Sequence, residues 1–175
     1  TNQVNQSIGR TTDGAATWSV FEDPTPNNAN TDPKDGYTAM PVFSIPAGLY
    51  SGSISVTITS PDPDATIYYT TNGNAPDNGD NLYTGPITIN NTQVIRARAY
   101  SSNPDVLQSQ IETNTYFIDD EHSLYVLSIT GTQVDNLLNG NNWIEPWGVV
   151  ELFDTDQNLI DEGTGEFNKH GNDSW

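Results

Sequence analysis

The chain has 175 residues, 34% hydrophobic and 16% charged, with 23 acidic against 5 basic side chains and a formal net charge of −18. That length suits one domain or two small modules and is too short for a large α/β enzyme. Nucleic acid and anionic membranes are not expected as partners, because both are polyanions and the chain has almost nothing with which to displace their counterions. No apolar run approaches the ~20 residues of a membrane helix. Cysteine is absent, which removes a disulfide scaffold, a thiol nucleophile and a thiolate metal site.

Residues 1–38 are polar and punctuated by glycine and proline, opening on Thr1-Asn2-Gln3-Val4-Asn5-Gln6 with no basic-then-apolar leader. One strand is predicted, Ala16-Thr17-Trp18-Ser19-Val20-Phe21, ended by Pro24 and Pro26, which lack the N–H that a ladder needs. No partner for it is evident in this stretch, and one strand cannot bury its own apolar face.

Residues 39–118 read as all-β. Ile54, Val56 and Ile58 alternate with serines and threonines, the period-2 pattern of a half-buried strand. The breaker Ser60-Pro61-Asp62-Pro63-Asp64 follows, then a strand at 66–71 and a long turn from Asn72 to Asp80. Short runs at 82–83 and 87–89 flank Gly85-Pro86. In Val94-Ile95-Arg96-Ala97-Arg98-Ala99-Tyr100, one face is Ile95, Ala97 and Ala99 and the other is Val94, Arg96, Arg98 and Tyr100. A last strand is predicted at 113–118. Short strands with regular turn signals and no helical stripe predict a small β-sandwich. Its expected core is Ile54, Val56, Ile58, Ile67, Tyr69, Ile95, Ala97, Ala99 and Phe117.

Residues 119–175 begin with the charged link Asp119-Asp120-Glu121-His122. Strands are predicted at 124–130 and 147–154, with one helical turn at 133–138 capped by Thr132. Two isolated strands cannot hide Leu127, Ile129, Val150, Leu152 and Phe153, which must rest on the sandwich, on each other or on a partner. The glycine-rich end from Gly163 to Trp175 is expected to be the least protected part. The fold class is thus all-β, an immunoglobulin/fibronectin-III-like sandwich with a small, mainly β C-terminal segment.

Three local patterns carry a resemblance to known families. Ala65-Thr66-Ile67-Tyr68-Tyr69-Thr70-Thr71-Asn72-Gly73-Asn74-Ala75-Pro76 is similar to the "ATIYYTxDGxxP" run of the chitobiase/β-hexosaminidase carboxy-terminal-type module, with Asn72 in place of the usual aspartate. Tyr83-Thr84-Gly85-Pro86-Ile87 and Val94-Ile95-Arg96-Ala97-Arg98-Ala99 match its next two motifs in order. That resemblance implies a fibronectin-III-related sandwich at 39–118. Residues 8–30, with Gly9-Arg10, Asp13-Gly14, Trp18 and the Pro24–Asn30 run, resemble the end of a bacterial lamin-tail-type domain. Residues 122–175 resemble the start of a spore-coat CotH kinase-like domain, through 122–129, 150–154 and Lys169-His170-Gly171-Asn172-Asp173-Ser174-Trp175, the last loosely like "RGNSSW". In that family the nucleotide-engaging lysine and the metal-binding acids follow this motif. The resemblance therefore implies that residues 1–175 do not carry that chemistry.

The candidate sites are few. His122 and His170 are the only imidazoles and lack any H-x-x-x-H or H-x-H spacing for zinc. No nucleophile elbow supports a triad of His170 with Ser174. Asp154, Asp156 and Asn158 place oxygens at alternate positions, as a calcium loop begins, but Leu159 stands where the loop needs glycine and Gly165 where it needs glutamate. Asp62, Asp64, Asp77 and Asp80 are further loop acids for a shared ion. For both sets, a turn bonding its own backbone is the simpler account. A carboxylate pair at glycosidase separation will arise by chance among so many acids, and three short segments do not build a sugar-distorting cleft. Trp18, Trp143 and Trp147 lie in turn-rich surroundings and are candidates for stacking on a sugar, with packing between modules the simpler account. Arg96, Arg98 and Tyr100 form a candidate anion patch, although a solvent-facing strand face paired with surplus acids explains them more simply.

The function expected is a non-catalytic accessory or linker region of a larger bacterial protein, extracellular or at the cell surface, spacing or presenting a CotH-kinase-like catalytic part. Its expected partners are other domains of the same polypeptide and, on an alternative reading as a carbohydrate-binding module, polysaccharide. A further alternative is a piece of an atypical protein kinase whose catalytic residues lie outside the chain. No cofactor is expected except calcium at the Asp154 turn.

Overall fold

The computed structural model describes residues 5–140 and 143–168. Strands β1 (Ser7–Arg10) and β2 (Trp18–Phe21) pair antiparallel, from Ser7 opposite Phe21 to Arg10 opposite Trp18. The strand predicted at 16–21 therefore has a partner within its own stretch. Sequence reasoning missed β1 because Ser-Ile-Gly-Arg holds a single apolar side chain and no alternation. Val20 and Lys34 exchange backbone hydrogen bonds of 3.2 and 2.8 Å, and Phe21 next to Val20 is 2% exposed.

The next strands are β3 (Gly36–Tyr37), β4 (Val42–Phe43), β5 (Gly48–Tyr50), β6 (Ile54–Val56), β7 (Ile58–Thr59), β8 (Thr66–Thr70), β9 (Asn81–Leu82), β10 (Ile87–Ile89), β11 (Gln93–Tyr100), β12 (Val106–Leu107) and β13 (Glu112–Ile118). Five of them make the main sheet in the order β5-β13-β11-β8-β9, antiparallel except where β5 runs parallel to β13. The pairs β4–β7 and β6–β10 form the opposing layer, and β3 pairs parallel with β12 at the side. Val56, Ile58 and Ile89 from the opposing layer meet Ile67, Ile95, Ala97, Ala99, Tyr116 and Ile118 from the main sheet in one buried cluster. Ile54 and Tyr69 pack against it while partly exposed. This is the two-layer sandwich that the period-2 alternation predicts.

One predicted core residue is displaced. Tyr116 and Ile118 point into the core, so Phe117 faces out. Tyr116-Phe117-Ile118 is apolar on both faces, which leaves the register ambiguous, and a one-residue slip exchanges the faces. Phe117 instead meets the Phe153 ring edge-on, with centroids 5.3 Å apart and planes at 84°.

The remaining elements are β14 (Val126–Thr130), α1 (Val134–Leu138), β15 (Trp147–Phe153) and β16 (Leu159–Glu166), whose three strands form an antiparallel sheet in chain order. Gly163 and Gly165 thus lie inside a strand, opposite Val150 and Gly148. The predicted cap on the helical turn is corrected. Gln133 holds the N-cap position at φ 67° with no side-chain cap bond. The Thr132 hydroxyl is engaged elsewhere, accepting a hydrogen bond from Ala75 N at 2.8 Å. No helix of the described residues is long and apolar enough to cross a membrane. Lys169–Trp175, including His170 and Ser174, lies outside the described residues.

Candidate functional site

The outer face of the main sheet is where the C-terminal sheet attaches. β5 spans only Tyr116–Ile118 of β13, so the β13 backbone before Tyr116 has no strand on that side. Glu151, fully buried in the middle of β15, fills the gap. Its Oε1 accepts from Thr115 N at 3.0 Å and its Oε2 from Thr115 Oγ1 at 2.5 Å. The Thr115 hydroxyl also lies 2.8 Å from Ser128 Oγ on β14. A carboxylate with few water contacts is disfavoured as the anion, so burial pushes the Glu151 carboxyl upward, aided by the charge of Glu162 across the strand pair. The hydrogen bonds from Thr115 and Ser128 oppose that rise. Glu112, at the start of β13, is pushed from 4.5 to about 7 by burial, with Glu162 and Glu151 adding to it.

Arg96 fastens the Gly73 turn to the main sheet. It was expected on a solvent face, yet it is 5% exposed, because the C-terminal segment and the Gly73 turn cover that face. Its Nη1 donates to Gly73 O at 2.9 Å and its Nε to Thr113 Oγ1 at 3.2 Å. Gly73 stands at φ +79°, a left-handed turn conformation that glycine adopts without strain. Asn72 Oδ1 accepts from Asn74 N at 3.0 Å, so the amide braces the turn itself. The turn thus supplies one carbonyl to Arg96 and, through Ala75, one N–H to Thr132.

Where the three stretches meet, a cleft of about 1170 Å³ opens. Arg96 and Arg98 line it from β11 and Gln110 from the loop before β13, Trp147 and Thr132 from the C-terminal segment, and Glu22 from the N-terminal stretch. Burial lowers the Arg96 guanidinium to about 10, and the like charge of Arg98 acts in the same direction. Arg98 Nε is buried without a hydrogen-bond partner. Among the described residues an ion pair forms between Lys34 and Asp32 at 3.0 Å, and neither cleft arginine has an acid partner.

The tryptophans lie on separate elements. Trp18 on β2 is 63% exposed with the Arg10 guanidinium 5.4 Å from its ring centre. Trp143, between α1 and β15, is 94% exposed, and Trp147, the first residue of β15, is half-exposed and lines the cleft. At the Asp154 turn, Asp154 Oδ1 accepts from Asp156 N and Asn158 N, both at 2.9 Å. Asp62, Asp77 and Asp80 likewise accept from the backbone N–H groups of Ala39, Gly79 and Asp77. Among the described residues no three acids or histidines are grouped to hold a metal ion. His122 rests edge-on against Phe117, centroids 6.0 Å apart. Glu151 went unnoticed in the sequence, although an acid inside the apolar run Val149-Val150-Glu151-Leu152-Phe153 is itself a signal that something must satisfy it.

Residues 45–108 match the family model of the chitobiase/beta-hexosaminidase C-terminal domain. No curated protein and no solved structure gives a match. The matched span covers β6, β7 and β10 of the opposing layer and β5, β8, β9 and β11 of the main sheet, and it includes Arg96, Arg98 and the Gly73 turn, while β4 and β13 lie outside it.

Proposed function

We propose that the chain is a non-catalytic accessory region of a larger bacterial surface protein, holding a CotH-kinase-like catalytic part at a fixed distance and orientation. The match over residues 45–108 supports an accessory β-domain. The observation that carries the spacer reading is the junction: Glu151 on Thr115, Ser128 on Thr115, Ala75 on Thr132 and Phe153 on Phe117 tie the C-terminal segment to the sandwich by four contacts. A flexible linker would carry few such buried contacts. Lamin-tail-like residues before the sandwich and kinase-like residues after it belong to the same proposal, as do placement outside the cell and partnership with other domains of the polypeptide. Small-angle scattering of the 175-residue chain tests it. One rigid particle is expected, and a broad ensemble of separated bodies contradicts it. Turnover of a nucleotide or a glycan by the pure chain would contradict the non-catalytic part.

A further inference from the structure

The chain has 23 acids and 5 basic side chains, and yet two of those few cations stand together in the cleft with no acid partner among the described residues. That arrangement costs stability twice. Burial first, and the like charge of Arg98 after it, work against the Arg96 cation, and the buried Arg98 Nε–H has given up water for no acceptor. A structural arginine in so acidic a chain would be expected to find a carboxylate. Arg96 is fixed by Gly73 and Thr113, which leaves Arg98 as the cation able to turn toward the cleft.

We propose that this cleft binds a carboxylate-bearing sugar chain, with the carboxylate on the Arg98 guanidinium and a sugar ring against Trp147. A guanidinium fork matches a carboxylate bidentately, and an indole half open to solvent offers an apolar face for a ring. Glu22 and Asp23 of the N-terminal stretch also line the cleft, where they can accept hydrogen bonds from hydroxyls and repel further negative charge. A uronate unit, with one carboxylate and several hydroxyls, suits both the arginine and these acids. Acid-rich peptides offer a carboxylate but no sugar ring for Trp147, and phosphorylated chains bring up to about two charges per group towards Glu22 and Asp23. The volume of about 1170 Å³ admits several sugar units.

The test uses the whole chain and calorimetry with tetramers of galacturonate, of mannuronate and of alternating glucuronate and N-acetylglucosamine, each beside its carboxyl-reduced counterpart and an aspartate-rich peptide. Saturable sub-millimolar binding of at least one uronate tetramer is expected, with none of its reduced form. Arg98→Gln should weaken it by about tenfold or more, since charge-assisted bonds are lost, and Trp147→Ala should weaken it as well. Arg98→Gln should leave the thermal midpoint of the free chain unchanged or raised, which a structural role for Arg98 would not allow. Failure of all three tetramers at millimolar concentration, equal binding of a reduced form, or tighter binding of the peptide overturns the proposal. None of those results bears on the spacer reading, which rests on the junction and not on the cleft.

Discussion

Acidifying the solution from pH 8 to pH 5 should stabilise this protein, and Glu151 with its neighbours sets the size of the effect. In the folded state Glu112 titrates at about 7 against an ordinary 4.5, and the Glu151 carboxyl is also raised, by burial first. The native state therefore binds more protons than the unfolded chain between those values. The resulting stability is fully present below about 4.5 and is lost as the pH rises through about 7. For Glu112 that span corresponds to about 3 kcal/mol at full effect, which solvent around this half-buried side chain reduces to about 1–2 kcal/mol. A gain of that size raises the melting temperature by several degrees in a chain this long. Glu151→Gln keeps an acceptor for Thr115 N–H and removes the buried charge, so it should raise the midpoint at pH 8 and flatten the pH dependence. Glu151→Ala leaves that N–H unsatisfied beside a cavity and should cost about 2–4 kcal/mol. Thermal unfolding followed by circular dichroism at pH 5, 6, 7 and 8 reads all three chains. A midpoint that falls on acidification, or an unaltered pH slope in Glu151→Gln, would refute the reasoning.

Other perturbations test the packing. Ile58, 2% exposed in the sandwich core, should cost about 2–5 kcal/mol on truncation to alanine, measured by urea unfolding, and a cost under about 1 kcal/mol would place it outside the core. Phe153→Ala removes the ring on Phe117 and should cost about 3–5 kcal/mol while leaving the sandwich folded, as near-ultraviolet circular dichroism of the core tyrosines reports. Gly148→Ala would bring a Cβ to 2.6 Å from Thr130 O, so the β14–β15 backbone must shift. It should unfold more easily than Gly163→Ala, where the added Cβ meets nothing within 4 Å. Equal midpoints for the two glycine variants would count against that close approach.

The sandwich was legible because its signals are local. Alternation at Ile95, Ala97 and Ala99 fixes which face of β11 is buried, and all three are fully enclosed. What failed was long-range. Nothing near Arg96 in sequence announces that the Gly73 turn and a later sheet will cover it. Phe117 lay in a run apolar on both sides, so only the contact with Phe153 decides its direction. The second half of β16 reads as part of a soft glycine-rich end, since Gly163 and Gly165 carry little strand propensity, and the pairing with β15 supplies what the segment lacks. The turn at Asp154–Asn158 was recognised, and a hairpin return after it was the available clue. The cleft joins residues from all three stretches and left no mark in any one of them. Of the three candidate tryptophans, the structure places Trp147 in it.

Native-state hydrogen exchange tests the fastening of the C-terminal sheet to the sandwich most directly. Amides of β14 and β15 are predicted to open together with those of β11 and β13, at the free energy of global unfolding, because Glu151, Phe153 and Thr115 are buried only while both sheets are in place. Exchange of Val126–Thr130 and Trp147–Phe153 at a free energy about 2 kcal/mol or more below that of Gln93–Tyr100 would show that the sheet opens on its own and contradict the account.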